Sequence, residues 1–462
     1  MTEARADATP VSRLTAPTDV AGLVVFRVLL GLLVAIGALR FLLNGWIERF
    51  FLAPSFAFKY WGFAWVKAWP GPGMYLHFGL LVLLGLMLAA GAFYRVVAPL
   101  TFLAFTYVEL LDVSTYLNHY YLLSLLLLLA AVMPLGDALS VDAWRRPERR
   151  RESFPAWCTW LLRAQVAVVY FYAGLAKLNA EWLIHGQPLN LWLGTMTELP
   201  HPWLQRFEVA LAMSWAGFLY DTTIWLWLAW PRTRPYAFAV VAFFHLTVGL
   251  LFNIGMFPFI MVSAATVFFA PDWPRRALRR LRARGSQAGD SPPRARPMVG
   301  RWTKVGLALG AAFLLLQVLV PLRHLLYPGD VLWNELGMRW SWKVLVREKN
   351  GAVTFHLRLP DGKRQIVTPR KYLTDFQERE MSSQPDLILQ LAHHIADDYA
   401  ARGLGPVEVR AEARVSFNGR RSVLLLDPEV DLAQIEDGLG PAPWIRPAPG
   451  GPPVRLHPVA AR

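Results

Sequence analysis

The chain has a single cysteine, Cys158, among 462 residues. That excludes an intramolecular disulfide and any cysteine-built metal cage. Charge is also scarce, with Asp, Glu, Lys and Arg together at 17%. HExxH, GxSxG and Walker signatures are missing, so nothing points to a zincin, a nucleophile-elbow hydrolase or a P-loop enzyme. His393 and His394 are adjacent on a segment with helical spacing, and adjacent helical residues point apart. No metal is expected.

What is present is apolar. Hydrophobic residues make up 55% of the chain, with 20 tryptophans, and the long apolar runs fall before residue 326. This is the composition of a membrane protein with a polar appendage, in contact with membrane lipid. The net charge of +14 raises nucleic acid as a partner, but the arginines cluster in short segments between apolar runs. That pattern is a topology signal, and no nucleic-acid partner is expected.

The fold class expected is a polytopic α-helical membrane protein of about nine transmembrane helices, followed by a small α+β extracytoplasmic domain. The spans are 19–43, 73–94, 96–113, 119–137, 157–177, 208–230, 235–252, 254–271 and 304–326. Residues 1–18 read as a cytoplasmic tail, and the first apolar run as a signal anchor that is retained. With the N-terminus inside, Arg95, the run from Arg145 to Arg151, Arg232 with Arg234, and the arginine-rich loop 272–303 all fall on the cytoplasmic side. The ends of the third and fifth spans and the start of the fourth then reach the outer leaflet. Asp112, Asn118, His119 and Lys177 would share one depth.

Residues 19–326 thus form the membrane domain and 327–435 the outer domain, with a Pro-rich, extended or disordered tail at 436–462. In the outer domain Val353–Leu359 alternates apolar and polar residues, and Asp361-Gly362 supplies a hairpin turn before a strand at 364–368. Val407–Phe417 and Val423–Leu426 form a second hairpin through Asn418-Gly419. Pro385–Ala401 has helical spacing, with Gly403 as its stop. Residues 285–300 read as a flexible linker.

Lys177 ends the apolar run Val166–Leu175 and is the first candidate for chemistry. A lysine at membrane depth is costly, and burial can lower its pKa far enough to make it a base. Ala173, Gly174 and Tyr170 share its face, the small residues leaving room for a neighbouring helix or a flat ligand. The competing reading is a lysine that snorkels to the interface beside Trp182 in the aromatic belt. Asn118-His119 opens the fourth span, where the histidine can pass protons or merely cap a helix start. Glu109 and Asp112, three apart, should face the same way. Asp221 and His245, like Arg27 and Arg40, need partners inside their spans, and Arg27 with a carboxylate such as Asp221 is one pairing. On these residues alone a transporter, a lipid-handling enzyme and a quinone-linked enzyme all remain open.

Three stretches resemble the vitamin K-dependent γ-carboxylase family: Asn118-His119-Tyr120, Arg163 through Tyr170 and Lys177 to Trp182, and Asn253–Phe257 through Ala270–Arg275. The similarity runs from Arg27–Gly31, through Ser140–Asp142 and Ser341-Trp342, to Asp427–Asp431. It implies an enzyme whose lysine deprotonates reduced vitamin K, the hydroquinone or a menaquinol-type relative, which reacts with O2. The strong base formed removes a γ-proton from glutamate in a protein or peptide, CO2 adds to the carbanion, and the quinone leaves as the epoxide. A quinone-reducing system is implied as a partner.

Residue by residue, the resemblance makes Lys177 the base toward the hydroquinone, His119 a catalytic residue of the carboxylation stage, and Asn118 a naphthoquinone-binding residue. Tyr170 and Asp112 are carried over as cofactor-pocket residues, and His245 matches without an assigned role. The chain departs from vertebrate members in having Ala176 where they have a second lysine and Asn179 where they have Asp, and it cannot form their disulfide to the outer domain. Vertebrate members continue beyond the position of Asp431 with a β-rich region, so substrate choice does not carry over, and the short, Arg- and Pro-rich sequence without glycosylation-style elaboration suggests a bacterial homologue in a cytoplasmic membrane. A quinol epoxidase without carboxylation, or a non-catalytic lipid- or quinone-binding protein, are the alternatives.

Overall fold

The structure is a computed structural model that describes residues 9–196, 199, 201–252, 254–282 and 301–455. The expected linker at 285–300, Asn253 of the resembling stretch, and the outermost parts of both predicted tails lie outside the described residues. A helix stands at each of the nine apolar segments: α1 (Ala21–Leu43), α2 (Gly73–Ala90), α3 (Tyr94–Glu109), α4 (Asn118–Val132), α5 (Ala156–Leu175), α6 (Phe207–Ala229), α7 (Arg234–Leu251), α8 (Phe257–Ala265) and α9 (Arg301–Leu322). Among the described residues five helices are both long and apolar enough to cross a bilayer: α1, α2, α5, α7 and α9 with its continuation to Leu326. The count of nine crossings is therefore not established. α3 and α4 have 16 and 15 residues, and α8 has only nine before a 3₁₀ turn at Thr266–Phe268. At 1.5 Å per residue such helices fall short of a hydrocarbon core of about 30 Å.

Where helices approach closely, glycine makes it possible. A Cβ on Gly85 of α2 would lie 2.7 Å from the backbone nitrogen of Ala35 in α1, and one on Gly174 of α5 would lie 2.6 Å from Thr222 Oγ1 in α6. Small residues at a crossing let two backbones touch. Arg27, in α1, pairs with no carboxylate among the described residues. Its guanidinium instead donates to the carbonyls of Ala89, Leu135, Ala138 and Leu139, tying α1 to α2 and to the turn after α4. Ala89 lies in the last turn of α2, where carbonyls have no partner within the helix.

At one end of the bundle a two-stranded ribbon joins Pro17–Asp19 to Ser153–Pro155, so part of the expected N-terminal tail is ordered. The basic segments gather at this same end, where Arg95 and Arg151 pair with Asp137 and Arg275 pairs with Asp19. The C-terminal domain closes the other end. Its strands β1 (Lys349–Arg358), β2 (Arg364–Val367), β3 (Glu408–Phe417) and β4 (Arg420–Leu424) form an antiparallel sheet in the order β2-β1-β3-β4. Gly362 and the pair Asn418-Gly419 adopt positive φ, as their turns require. Two helices, α10 (Asp375–Met381) and α11 (Pro385–Ala401), complete the domain. The inward residues Val353, Phe355, Leu357, Val409, Ala411 and Ala413 share one core with Leu387, Ile388 and Leu391 of α11.

That core does not stop at the domain edge. It takes in Phe58, Tyr60, Val113, Ala176, Trp182 and Leu189 from the loops between the membrane helices. The Pro-rich tail is extended but held as far as it is described: Leu426 bridges Ile445, Arg446 N–H donates to Leu425 O, and Trp333 Nε1 donates to Arg446 O at 2.7 Å. Trp444, buried at 8% exposure, anchors a segment whose prolines alone would leave it loose.

Candidate active site

Lys177 lies two residues beyond the end of α5, in a turn closed by its own N–H to Gly174 O. Its side chain turns inward. It is 5% exposed, so it does not snorkel, and Trp182 is buried at 3% rather than standing in an interfacial belt. Lys177 Nζ is 2.8 Å from Asp221 Oδ2, donates to Ala173 O at 3.1 Å, and sits 5.1 Å from the centre of the Trp182 ring. Asp221 comes from α6, and Gly174 admits α6 at that level. Trp182 is fixed from above by its indole N–H to Ser214 O at 2.6 Å and by Asn179, whose side chain caps the Trp182 N–H. Asn179 therefore performs the capping that an Asp would perform there.

The pair opens on a small, mostly apolar cavity of about 90 Å³. Tyr170, Phe244, His245, Phe252 and Phe257 face it, with Val344 and Leu345 from the C-terminal domain. Tyr170 hydroxyl and His245 Nε2 are 3.2 Å apart, with Tyr220 hydroxyl 3.5 Å from Tyr170. His245 Nδ1 is buried with no partner among the described residues. An orphan buried polar atom of this kind signals a ligand or strain.

Asn118 and His119 do not enter that cavity. They line a second one of about 630 Å³, together with Glu109, Arg40, Arg379 and Glu380. The His119 ring packs 4.6 Å from Tyr120 and 5.7 Å from Phe257, and no described side chain hydrogen-bonds it. It caps nothing, since Leu117 occupies the cap position of α4. Asn118 Oδ1 accepts from Tyr116 hydroxyl at 3.0 Å, and that hydroxyl accepts the Trp340 N–H at 2.8 Å. The relay fixes the amide's orientation: a Tyr oxygen that accepts from a backbone N–H has its own proton to give.

Phe257, Val344 and Leu345 line both cavities and so form the wall between them. A third cavity of about 410 Å³ adjoins the second along Asn118, Leu345 and Arg379 and is walled by charged groups of the C-terminal domain, among them Glu335, Arg347 and Lys349.

Asp112 is placed apart. The helix ends at Glu109, so the three-residue spacing no longer aligns the two acids: Glu109 faces the His119 cavity while Asp112 starts a 3₁₀ turn. Asp112 accepts from Ser114 N–H at 2.8 Å and from Gln377 Nε2 at 2.9 Å, and it lines none of the three cavities described. Burial pushes its carboxyl above the usual range. Its bond to Gln377 ties the end of α3 to the C-terminal domain. Among the described residues no group of three His, Cys, Asp or Glu is placed to hold a metal. His393 and His394 diverge, the first bonding Ile435 O at 2.7 Å and the second packing on Phe56.

Sequence reasoning did not pair Asp221 with Lys177, and it gave Phe257, Val344 and Leu345 no role. The available signals were Gly174, which marks where α6 must cross, and an acid at mid-span that needs a cation.

Residues 15–273 match the HTTM domain, and residues 302–450 match the family described as vitamin K-dependent gamma-carboxylase, lumenal domain. No solved structure matches the chain. The two matches together cover the helical bundle and the domain that closes its end, and they are those of a vitamin K-dependent carboxylase. The chain belongs to the vitamin K-dependent γ-carboxylase family.

Proposed function

We propose that the protein is an integral-membrane carboxylase that oxygenates reduced vitamin K to its epoxide and carboxylates the γ-carbon of glutamate in a protein or peptide. The observation that carries this reading is the Lys177–Asp221 pair at 2.8 Å on an apolar, aromatic-walled cavity. A flat aromatic diol suits it, with Tyr170, Phe244 and Phe257 as walls, the amine at one point and the orphan His245 Nδ1 at another. The hydroquinone with O2 supplies a base strong enough for a glutamate γ-carbon, which no side chain can be.

In this reading Lys177 takes the hydroxyl proton, Tyr170 and His245 hold the ring, and the apolar wall keeps water from quenching the base. His119 serves the carboxylation side, from the larger cavity, with CO2 and the glutamyl side chain, and Asn118 beside it keeps the role of a naphthoquinone contact, reached from that cavity. The protein would sit in a bacterial cytoplasmic membrane, nine times crossed, N-terminus inside and C-terminal domain outside, supplied by a quinone-reducing system.

Purified protein given reduced vitamin K, labelled CO2 and a Glu-containing peptide should fix label and form epoxide, and Lys177→Ala should lose both. A quinol epoxidase is the second reading, favoured by the separation of Lys177 and His119 into two cavities. Epoxide without label on any peptide would decide for it.

A further inference from the structure

Lys177 meets Asp221 as an ion pair, and a protonated lysine is not a base. We propose that Asp221 is the positioning partner through which Lys177 works: the amine relays a proton onward, and the carboxylate receives it. This rests on the role proposed for Lys177.

Three observations carry it. Two of the three hydrogens of the Lys177 ammonium have acceptors, Asp221 Oδ2 at 2.8 Å and Ala173 O at 3.1 Å, which leaves one for the cavity. Both members of the pair are buried, with side-chain exposures of 6% and 10%. The groups around them are apolar or uncharged: Trp182 below the amine, Val169 and Ala173 on α5, Met213 and Gly217 on α6, Val248 and Phe252 on α7. The titratable groups that face the cavity besides the pair are Tyr170 from α5 and His245 from α7, with Tyr220 of α6 behind Tyr170. The segment Val344-Leu345 and helix α8 bring none to it. Asp221 is therefore the one described anion placed to take a proton from Lys177.

Asp221 Oδ2 at 2.8 Å is nearer to Nζ than Ala173 O at 3.1 Å, and of the two only a carboxylate can take the proton and keep it. The resting pair, ammonium and carboxylate, is neutral overall. The N–H facing Asp221 breaks first and an O–H forms on Oδ2, which leaves Nζ a lone pair. The amine turns that lone pair to the cavity, where a hydroxyl gives it a proton: the O–H bond breaks and an N–H bond forms. The donor oxygen keeps the electron pair and faces an ammonium, beside a neutral acid. The three groups together carry the same net charge before and after.

The test compares wild type, Asp221→Asn and Asp221→Glu by two readouts. The first needs no quinol: the unloaded protein is reductively methylated with formaldehyde and cyanoborohydride across pH, the Lys177 peptide is followed by mass spectrometry, and exposed Lys363 serves as reference. Asp221→Asn removes the carboxylate 2.8 Å from Nζ that holds the ammonium, so its Lys177 should be modified at least tenfold faster than in wild type at neutral pH. The second is the pH profile of epoxide formation. Wild type should lose kcat on the acid side once the carboxylate is protonated and can take no further proton. Asp221→Asn should fall at least 100-fold at neutral pH, with kcat rather than KM bearing the loss, and should recover as pH rises because a lone lysine works only when neutral. Asp221→Glu should restore the wild-type shape. Equal Lys177 labelling rates in wild type and Asp221→Asn, or a profile of unchanged shape with only KM or melting temperature altered, would overturn the relay and leave a structural salt bridge. A wild type that forms no epoxide at all overturns the role of Lys177 instead, and the labelling arm still decides whether Asp221 governs the amine.

Discussion

Phe257 packs 5.7 Å from the His119 ring while standing 5.3 Å from the His245 ring, so one side chain touches both the larger cavity and the one that holds Lys177. Two proposed half-reactions are thereby separated by the thickness of a phenyl group. Shortening that wall should let water and the two cavities mix. Phe257→Leu is expected to raise the ratio of epoxide formed to glutamate carboxylated several-fold, with Phe257→Ala worse and also destabilised, by less than the roughly 3–5 kcal/mol of a fully buried ring because Phe257 is only partly buried. Measuring both products in one reaction checks it, and an unchanged ratio in both variants would sink the barrier role.

Lys177→Met should remove both products by a factor of about 10²–10⁴, the range for losing a general base. It also leaves Asp221 buried without its cation, at a cost of about 3–5 kcal/mol. The double variant Lys177→Met, Asp221→Asn should regain most of that stability and none of the activity. Melting curves set beside product assays separate the two effects.

His119→Ala should retain epoxide formation and lose carboxylation, because His119 lines the cavity remote from the lysine. Loss of both products in equal measure would place it in the first half-reaction.

Asp112→Asn tests the anchor. Asp112 accepts two N–H groups, and an amide in its place offers a hydrogen where Gln377 also offers one. A loss of about 1–3 kcal/mol is expected, as for a buried partner left unsatisfied. Chemical denaturation measures it; a raised KM for the hydroquinone without loss of stability would instead return Asp112 to the cofactor pocket.

Lys349 in the C-terminal domain is held down to about 8 by burial, against an ordinary 10.5, although Glu335 pulls the other way. The unfolded chain binds this proton more tightly across that window. Stability should therefore rise with pH between about 8 and 10.5, by on the order of 3 kcal/mol, and the burial cost is present in full below pH 8. Glu335 keeps Arg347 at 2.6 Å as its counter-ion when Lys349 is neutral. The rise should be missing from Lys349→Met when the two are melted side by side.

Local rules were enough for much of this fold. Apolar runs marked every long helix, Pro385 and Gly403 bracketed α11, and Asn418-Gly419 marked a hairpin, because each signal lies within a few residues of what it determines. Lengths were less legible: α8 stops after nine residues where the apolar pattern runs on, since apolarity does not fix helix ends. In the site, Lys177 and His119 could be singled out one at a time, by what a charge or an imidazole costs in an apolar run. Their arrangement could not. Whether Asp221 meets Lys177 or Arg27 depends on which helices cross, and Arg27 was satisfied by carbonyls that only the tertiary fold brings to it.

Trp340, Trp342 and Leu345 all adopt positive φ, a conformation that bulky side chains avoid, and Leu345 borders all three cavities. Such residues cost on the order of 1–3 kcal/mol each and persist only where the surroundings hold them. What holds them is the seam between bundle and cap, including the Trp340 N–H on Tyr116. The reaction chamber is thus a vessel in two pieces whose rim is under tension. Expressed apart, neither piece would contain it, and a lesion on the seam far from Lys177 would be felt as a chamber that no longer shuts.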